Sequence, residues 1–261
     1  MAYETLDLKQ DGDVAWLTLN RPDSLNALNP QLVTELREFF GELPQRSDIR
    51  IVVLRGAGRA FCAGLDLKEP GAGSGGPTGA LEGQRRISEI AILMRRCPQP
   101  IIACVQGAAA GGGFALALAS DVRVAGESAR MNAAFIKIGL SACDVGVSYF
   151  LPRLVGASVA YELMLTGRFI HADRALATGL VSTVVPDEDL EDEARKLVDE
   201  MLLTSPLGLQ LTKECLNASL DAGSLEAAIA MEDRNQVLCA TSPDLREGIK
   251  AFLEKRKPSW V

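Results

Sequence analysis

The segment Ile101–Asp121, IIACVQGAAAGGGFALALASD, constrains the fold more than any other part of this chain. A short apolar run leads into a turn carrying Gly111, Gly112 and Gly113, and the turn opens straight into an Ala/Leu segment. Such a run reads as a buried strand, and the segment after the turn reads as a helix. Glycines let backbone approach a ligand closely. The first amides of a helix have no intrahelical partner, so a turn of this kind presents N–H groups to an oxyanion or a phosphate. The pattern predicts a ligand that carries or develops negative charge on oxygen. Ile101–Ala119 is also long enough to raise the question of a membrane span. It holds Gln106 and four glycines and has no flanking basic cluster, which predicts a buried strand–turn–helix instead.

The flanking sequence repeats the alternation of strand and helix. Val14–Asn20 (VAWLTLN), Ile49–Leu54 (IRIVVL) and Asp121–Ala125 (DVRVA) read as strands. Pro30 opens a helix with Leu32, Val33, Leu36 and Phe40 at helical spacing. The first two-thirds of the chain is therefore α/β with much parallel pairing. Glu69–Ala80 carries five glycines and two prolines and reads as a mobile loop, placed either as a pocket lid or as a solvent-exposed insertion. Beyond Pro186 the pattern turns helical. Leu190, Ala194, Leu197, Val198 and Met201 share one face. Ser205-Pro206 and Ser242-Pro243 read as N-caps followed by first-turn prolines, and Ser224 as a further cap.

Composition narrows the chemistry. With 261 residues, 48% of them hydrophobic, the chain suffices for one large domain with a helical appendage. A net charge of −7 argues against nucleic-acid binding, which needs a basic face. The polar, acidic start is unlike a secretory signal. The cysteines Cys62, Cys97, Cys104, Cys143, Cys215 and Cys239 are scattered without a C-x-x-C pair. They predict a reduced, cytoplasmic protein using them mostly as small core residues. The single histidine, His171, argues against a zinc site or a Ser-His-Asp triad and reads as a capping or surface residue. Cys62 and Cys143 lack a histidine to activate them and read as packing. Glu127 reads as a surface turn, and Tyr149 as a packing residue.

Several motifs, taken in order, resemble the crotonase, or enoyl-CoA hydratase/isomerase, superfamily over nearly the whole chain. They are RPDSLNAL at Arg21–Leu28, GAGRAFCAGLDLKE at Gly56–Glu69, the Pro100–Asp121 segment, GLSACDVGVSYFLPRLVG at Gly139–Gly156, MLTGRFIHADRALATGLVSTVVP at Met164–Pro186 and the terminal GIKAFLEKRKPSW. The resemblance implies an α/β spiral of repeated ββα units over residues 1–200. Residues 201–261 would form a helical region for subunit contact and coenzyme A capping, in a homotrimer or a dimer of trimers. The partner it implies is an acyl-CoA thioester, with coenzyme A as part of the substrate and no resident cofactor, metal, nucleic acid or membrane.

On matching positions the N–H groups of Leu65 and Gly112 would grip the thioester oxygen and stabilise an enolate. Coenzyme A would lie along Ser24, Leu25, Ala27, Ala63, Asp66 and Leu67, with Lys68 placed to meet a phosphate. Phe252 and Lys255 match positions that in relatives reach the nucleotide of a neighbouring subunit; a solvated helix-end charge is the alternative for Lys255.

Two positions depart from the pattern. Where hydratases of the family carry paired glutamates, this chain has Ala115 and Phe135, which transfer no proton and would line the acyl pocket. Asp144, in a DVG context, aligns with an acidic position of dienoyl-CoA isomerases. It reads either as the acid/base for double-bond isomerisation or as the cap of the following helix. Phe135 would make the pocket apolar and raise the Asp144 pKa. Hydration by an altered arrangement, displacement with Asp144 as nucleophile, and acyl-CoA binding without efficient chemistry are the rival readings.

Overall fold

A computed structural model describes residues 3–69 and 76–260. The chain starts with the antiparallel pair β1 (Leu6–Asp11) and β2 (Val14–Leu19), turned at Gly12. α1 (Pro30–Glu42) follows. Its Asn29 cap accepts from the Leu32 N–H at 3.0 Å, and Leu32, Val33, Leu36 and Phe40 are buried. Next come β3 (Ile51–Gly56), α2 (Gly76–Arg96), β4 (Ile101–Val105), β5 (Ala108–Ala110) and α3 (Gly112–Ala119). β6 (Val122–Gly126), β7 (Arg130–Asn132), α4 (Val147–Thr166, broken at Gly156), β8 (Ile170–His171), α5 (Ala172–Ala177) and β9 (Thr183–Val185) complete the α/β part. Four helices end the chain: α6 (Leu190–Leu202), α7 (Pro206–Ser219), α8 (Leu225–Thr241) and α9 (Pro243–Glu254).

The strands form a six-stranded sheet in the order β1-β2-β3-β4-β6-β9 and a three-stranded sheet in the order β5-β7-β8. From β2 to β9 the large sheet is parallel. Each coil of chain places one rung in the large sheet, one in the small sheet, and then a helix: β4-β5-α3 is followed by β6-β7-α4. The preceding coil joins the small sheet through a bridge between Cys62 and Ala109. This is the expected ββα spiral.

Two apolar layers flank the large sheet. One holds Leu17, Leu54, Ala103 and all of α3 except its glycines. The other holds Trp16, Val53 and Ile102 under Leu190, Ala194 and Val198 of α6, each large aliphatic side chain contributing about 1.5–3 kcal/mol on burial. α3 is buried along its full length, so its last carbonyls need a donor. Arg123 supplies it, donating to Ser120 O at 2.6 Å and Ala117 O at 3.3 Å. Among the described residues no helix is long and apolar enough to cross a membrane.

α7 is tied to the core by one buried cation. Lys213 Nζ lies 2.8 Å from Asp121 Oδ2 and donates to Met94 O and Gln99 O at 3.0 and 2.8 Å. It closes the junction between α2 and β4, where helix carbonyls and a carboxylate would otherwise face an apolar interior.

Several expectations need correction. Pro70–Gly75 lie outside the described residues, but Gly76–Ala80 form the first turn of α2, not a loop. Pro77 occupies the second helical position, where its missing N–H costs nothing. Ser205 and Ser224 cap α7 and α8 through their hydroxyls; Ser242 is the N-cap residue of α9, followed by Pro243 as expected, but its hydroxyl donates to Cys239 O and makes no cap bond. His171 stands before α5, exposed, with no side-chain cap bond. Cys62, Cys97 and Cys104 are buried; Cys143 is exposed, and Cys215 and Cys239 are half-buried.

Candidate active site

The Gly111–Gly113 turn links β5 of the small sheet to α3. Cys62 N–H donates to Ala108 O at 3.0 Å and Ala110 N–H to Cys62 O at 2.9 Å, so 62–65 runs beside 108–112 as adjacent rungs. Beyond the Cys62–Ala109 bridge, Gly64 stands next to Gly112: a Cβ added to Gly112 would lie 3.9 Å from Gly64 Cα. On its other side Leu65 bridges Leu28: the Leu28 N–H donates to Gly64 O at 2.7 Å and the Asp66 N–H to Leu28 O at 3.0 Å. Among the described residues neither the Leu65 nor the Gly112 N–H has an acceptor.

Glycine is required here by contact. At Gly64, φ is +91°, and an added Cβ would stand 2.6 Å from Ala110 O and 3.3 Å from Gly112 N. At Gly113 it would meet Cys62 O at 2.1 Å.

Leu65 and Gly112 border one cavity of about 120 Å³, together with Ala63, Leu67, Phe135, Asp144, Val145 and the α2 residues Gln84 and Ile87. Asp144 does not cap α4; Gly146 holds that position. Its Oδ1 accepts from Val145 N–H at 2.8 Å and from Gln84 Nε2 at 2.5 Å. Burial raises its carboxyl above the ordinary Asp value, against the pull of those two donors. Phe135 packs against Gly111 and makes that wall apolar. Ala115 is wholly enclosed in the core and stays off the cavity wall.

Beside the Leu28–Leu65 bridge, Arg21 donates to Asp66 Oδ2 at 3.0 Å and Glu69 Oε1 at 2.8 Å. Burial raises the Asp66 carboxyl, but the Arg21 guanidinium and the Lys68 N–H outweigh it, and the net shift is downward. Asn26 is fully buried. Its Oδ1 accepts from the Arg21 N–H, and its Nδ2 donates to Ala57 O and Ala60 O. It fixes a strained turn in which Leu25 and Asn26 both have positive φ. Ala63 and Leu67 line the cavity, while Leu25, Ala27 and Asp66 do not: the Ala63 N–H donates to Leu25 O, Arg21 donates to Ala27 O and Asp66 Oδ2, and Ser24 and Lys68 are exposed. Phe252, 83% exposed on α9, and Lys255, at its left-handed end, line no part of the cavity.

Gln84 and Ile87 escaped the sequence reading. Their signal, a helical stripe continuing into Ala91, starts just past a glycine-rich segment that hid the helix. The other nucleophile candidates fall away. Cys62 is buried and its thiol is pushed up to about 12 by desolvation. Cys143 is exposed and off the cavity wall, and Tyr149 is held by Asp221 and Arg153. Glu127 is exposed on a turn. Among the described residues no cluster of three or more His, Cys, Asp or Glu could hold a metal ion.

A family model described as enoyl-CoA hydratase/isomerase matches residues 9–261. The chain belongs to the enoyl-CoA hydratase/isomerase family. This family member is 40% identical over 255 residues to a probable enoyl-CoA hydratase of Mycobacterium tuberculosis, covering 95% of this chain and 90% of that one. It is 37% identical over 250 residues to the 1,2-epoxyphenylacetyl-CoA isomerase of Escherichia coli, covering 95% of both. Among solved structures it superposes on the enoyl-CoA hydratase of Bacillus anthracis with a TM-score of 0.93 at 32% identity, covering 98% of this chain and 99% of that one. The spiral of two stacked sheets is therefore the crotonase fold, and the chain is an enzyme of this family.

Proposed function

We propose that this enzyme shifts a double bond in an enoyl-CoA thioester, using one carboxylate and a pair of backbone donors. The observation that carries the reading is the meeting of Asp144, Leu65 and Gly112 on one largely apolar cavity. The thioester oxygen sits between the Leu65 and Gly112 N–H groups. Asp144 removes a proton from the carbon skeleton, and the electron pair moves onto that oxygen as an enolate. The two donors stabilise this charge more than the ground-state carbonyl. The carboxylic acid so formed returns the proton at another carbon of the conjugated system, so one group serves as base and then as acid. Coenzyme A arrives as part of the substrate, and the scheme needs no resident cofactor. That a relative from Escherichia coli is a 1,2-epoxyphenylacetyl-CoA isomerase supports isomerisation of a CoA thioester, while the double-bond shift rests on the lone carboxylate at Asp144.

The exposed apolar side chains of the C-terminal helices, Leu216, Leu225, Val237 and Phe252 among them, support assembly as a homotrimer or dimer of trimers, in which Phe252 and Lys255 reach a neighbour's nucleotide. The deciding experiment is turnover of 3-enoyl-, dienoyl- and crotonyl-CoA by the wild type and by Asp144→Asn. Isomerisation lost by about 10²–10⁴-fold in the variant supports the role. Fast crotonyl-CoA hydration that survives the substitution refutes it. Micromolar acyl-CoA binding with no turnover of any thioester points to a binding or carrier protein.

A further inference from the structure

A pocket of about 420 Å³, sharing no residue with the Asp144 cavity, lies between the end of α3, β6, α4, the end of α6 and α7. That volume falls within the range of small-ligand sites, about 300–1,000 Å³. Its walls are mostly apolar, formed by Leu118, Val122, Leu154, Met201, Leu209 and Leu216. Its charged part is unbalanced. Arg95, Arg123 and Lys213 line it beside one carboxylate, Asp121, while a further cation, Arg153, is paired with Asp221.

Asp121 serves Lys213 first. Its Oδ2 lies 2.8 Å from Lys213 Nζ and also accepts from the Ile101 N–H at 2.8 Å. Arg95 stands 3.9 Å from Oδ1, beyond hydrogen-bond reach, and its guanidinium lies 5.5 Å over the Phe150 ring. Among the described residues that guanidinium has no hydrogen-bond acceptor. Arg123 is only 8% exposed and makes no ion pair among the described residues. Its Nε and Nη1 donate to the carbonyls of Leu180, Ala117 and Ser120, and its Nη2 has no acceptor there. Burial lowers the Arg123 pKa to about 10, Asp121 offsets part of that cost, and Arg95 is near enough to repel it. A buried guanidinium without a counter-ion is costly. Two guanidinium groups with open donors beside an apolar pocket complement an added anion that carries a hydrocarbon chain.

We propose that this pocket binds an alkyl carboxylate, a free fatty acid of medium length. The carboxylate sits between Arg95 and the Nη2 of Arg123, and the chain lies on Leu154, Leu209 and Leu216. A guanidinium edge matches a planar carboxylate. One negative charge suffices, because Arg95 keeps 20% of its side chain in contact with water. The site is separate from the Asp144 cavity and stands or falls independently of the isomerase reading.

Calorimetric titration of the full chain with decanoate, below its micelle concentration, is expected to show one site per chain that saturating butyryl-CoA leaves open. 1-Decanol has the chain without the charge; acetate and inorganic phosphate have the charge without the chain. Each is expected to bind at least about tenfold more weakly than decanoate. Arg95→Met should weaken decanoate by about tenfold. Leu216→Glu, at a position 63% exposed on α7, puts a like charge at the rim and should weaken it at least as much, with both variants melting close to the wild type. No heat with millimolar decanoate overturns the proposal. So does decanol binding as tightly as decanoate, which would leave only an apolar crevice, or phosphate binding as tightly, which would leave only an anion site. Displacement of decanoate by butyryl-CoA, or binding that both variants leave intact, also overturns it by putting the acid elsewhere.

Discussion

Replacing Gly64 by alanine tests the backbone-donor scheme without touching a titratable group. Gly64 precedes Leu65 on one rung and faces the start of α3 at Gly112, and its φ is +91°. An alanine methyl would stand 2.6 Å from Ala110 O and 3.3 Å from Gly112 N. The first distance cannot persist, so the rungs must part or twist, carrying the two N–H groups with them. A displacement of about 1 Å in a reacting geometry costs on the order of 10²-fold in rate. Loss of one donor outright costs about 10²–10³-fold. The left-handed backbone adds about 1–2 kcal/mol of strain to the folded state, about 2–8 °C in Tm for a chain of this size. Gly64→Ala should therefore lower kcat by about 10²-fold or more, with a modest loss of Tm by calorimetry. Butyryl-CoA binding changes far less, because a saturated ground-state thioester depends little on donors placed for an enolate. A variant that melts a few degrees lower yet keeps wild-type kcat would refute the reasoning.

Gln84→Leu removes a donor from the Asp144 carboxylate. The carboxyl, already raised by burial, rises further, and a base works only when ionised. The acid limb of the kcat/KM–pH profile should therefore move to higher pH; an unmoved limb alongside a dead Asp144→Asn would show that Gln84 does not tune the base. Lys213→Met leaves Asp121 without its nearest cation. Breaking a buried pair costs about 3–5 kcal/mol, with Arg95 at 3.9 Å from the same carboxylate holding the loss towards the lower figure. Thermal melts should show that drop, and limited proteolysis should cut the C-terminal helices first; an unchanged melt would mean α7 is held by other contacts.

Much of this architecture could be read from the chain where chemistry and periodicity agree. β4 falls on Ile101–Val105 as expected because Pro100 and the Gln106–Gly107 pair bound an uninterrupted apolar run. α6 matches because its stripe is amphipathic, with Leu197 and Met201 half-buried at its margin. β5, β7 and β8 were missed. At two or three residues each they are too short for a period of two to appear. The start of α2 hid behind Gly76, Pro77 and Gly79, which favour turns locally but are tolerated in a first helical turn. At the candidate site, Asp144 stands out in the sequence only through resemblance, and its alternative as a helix cap lost to Gly146 because the left-handed position suits glycine. Gln84 and Lys213 could not be found in advance. Each matters through a partner distant in sequence, 60 positions away for Gln84 and Asp144.

Neighbouring coils of the spiral carry the two free amides, and adjacent strands run about 4.8 Å apart. An atom held about 2.9 Å from each of two donors so separated is approached from directions roughly 110° apart, close to the angle between the lone pairs of a developing alkoxide. The pitch of a β-ladder thus already has the dimensions of a single anionic oxygen, and no side chain has to be tuned to set that spacing.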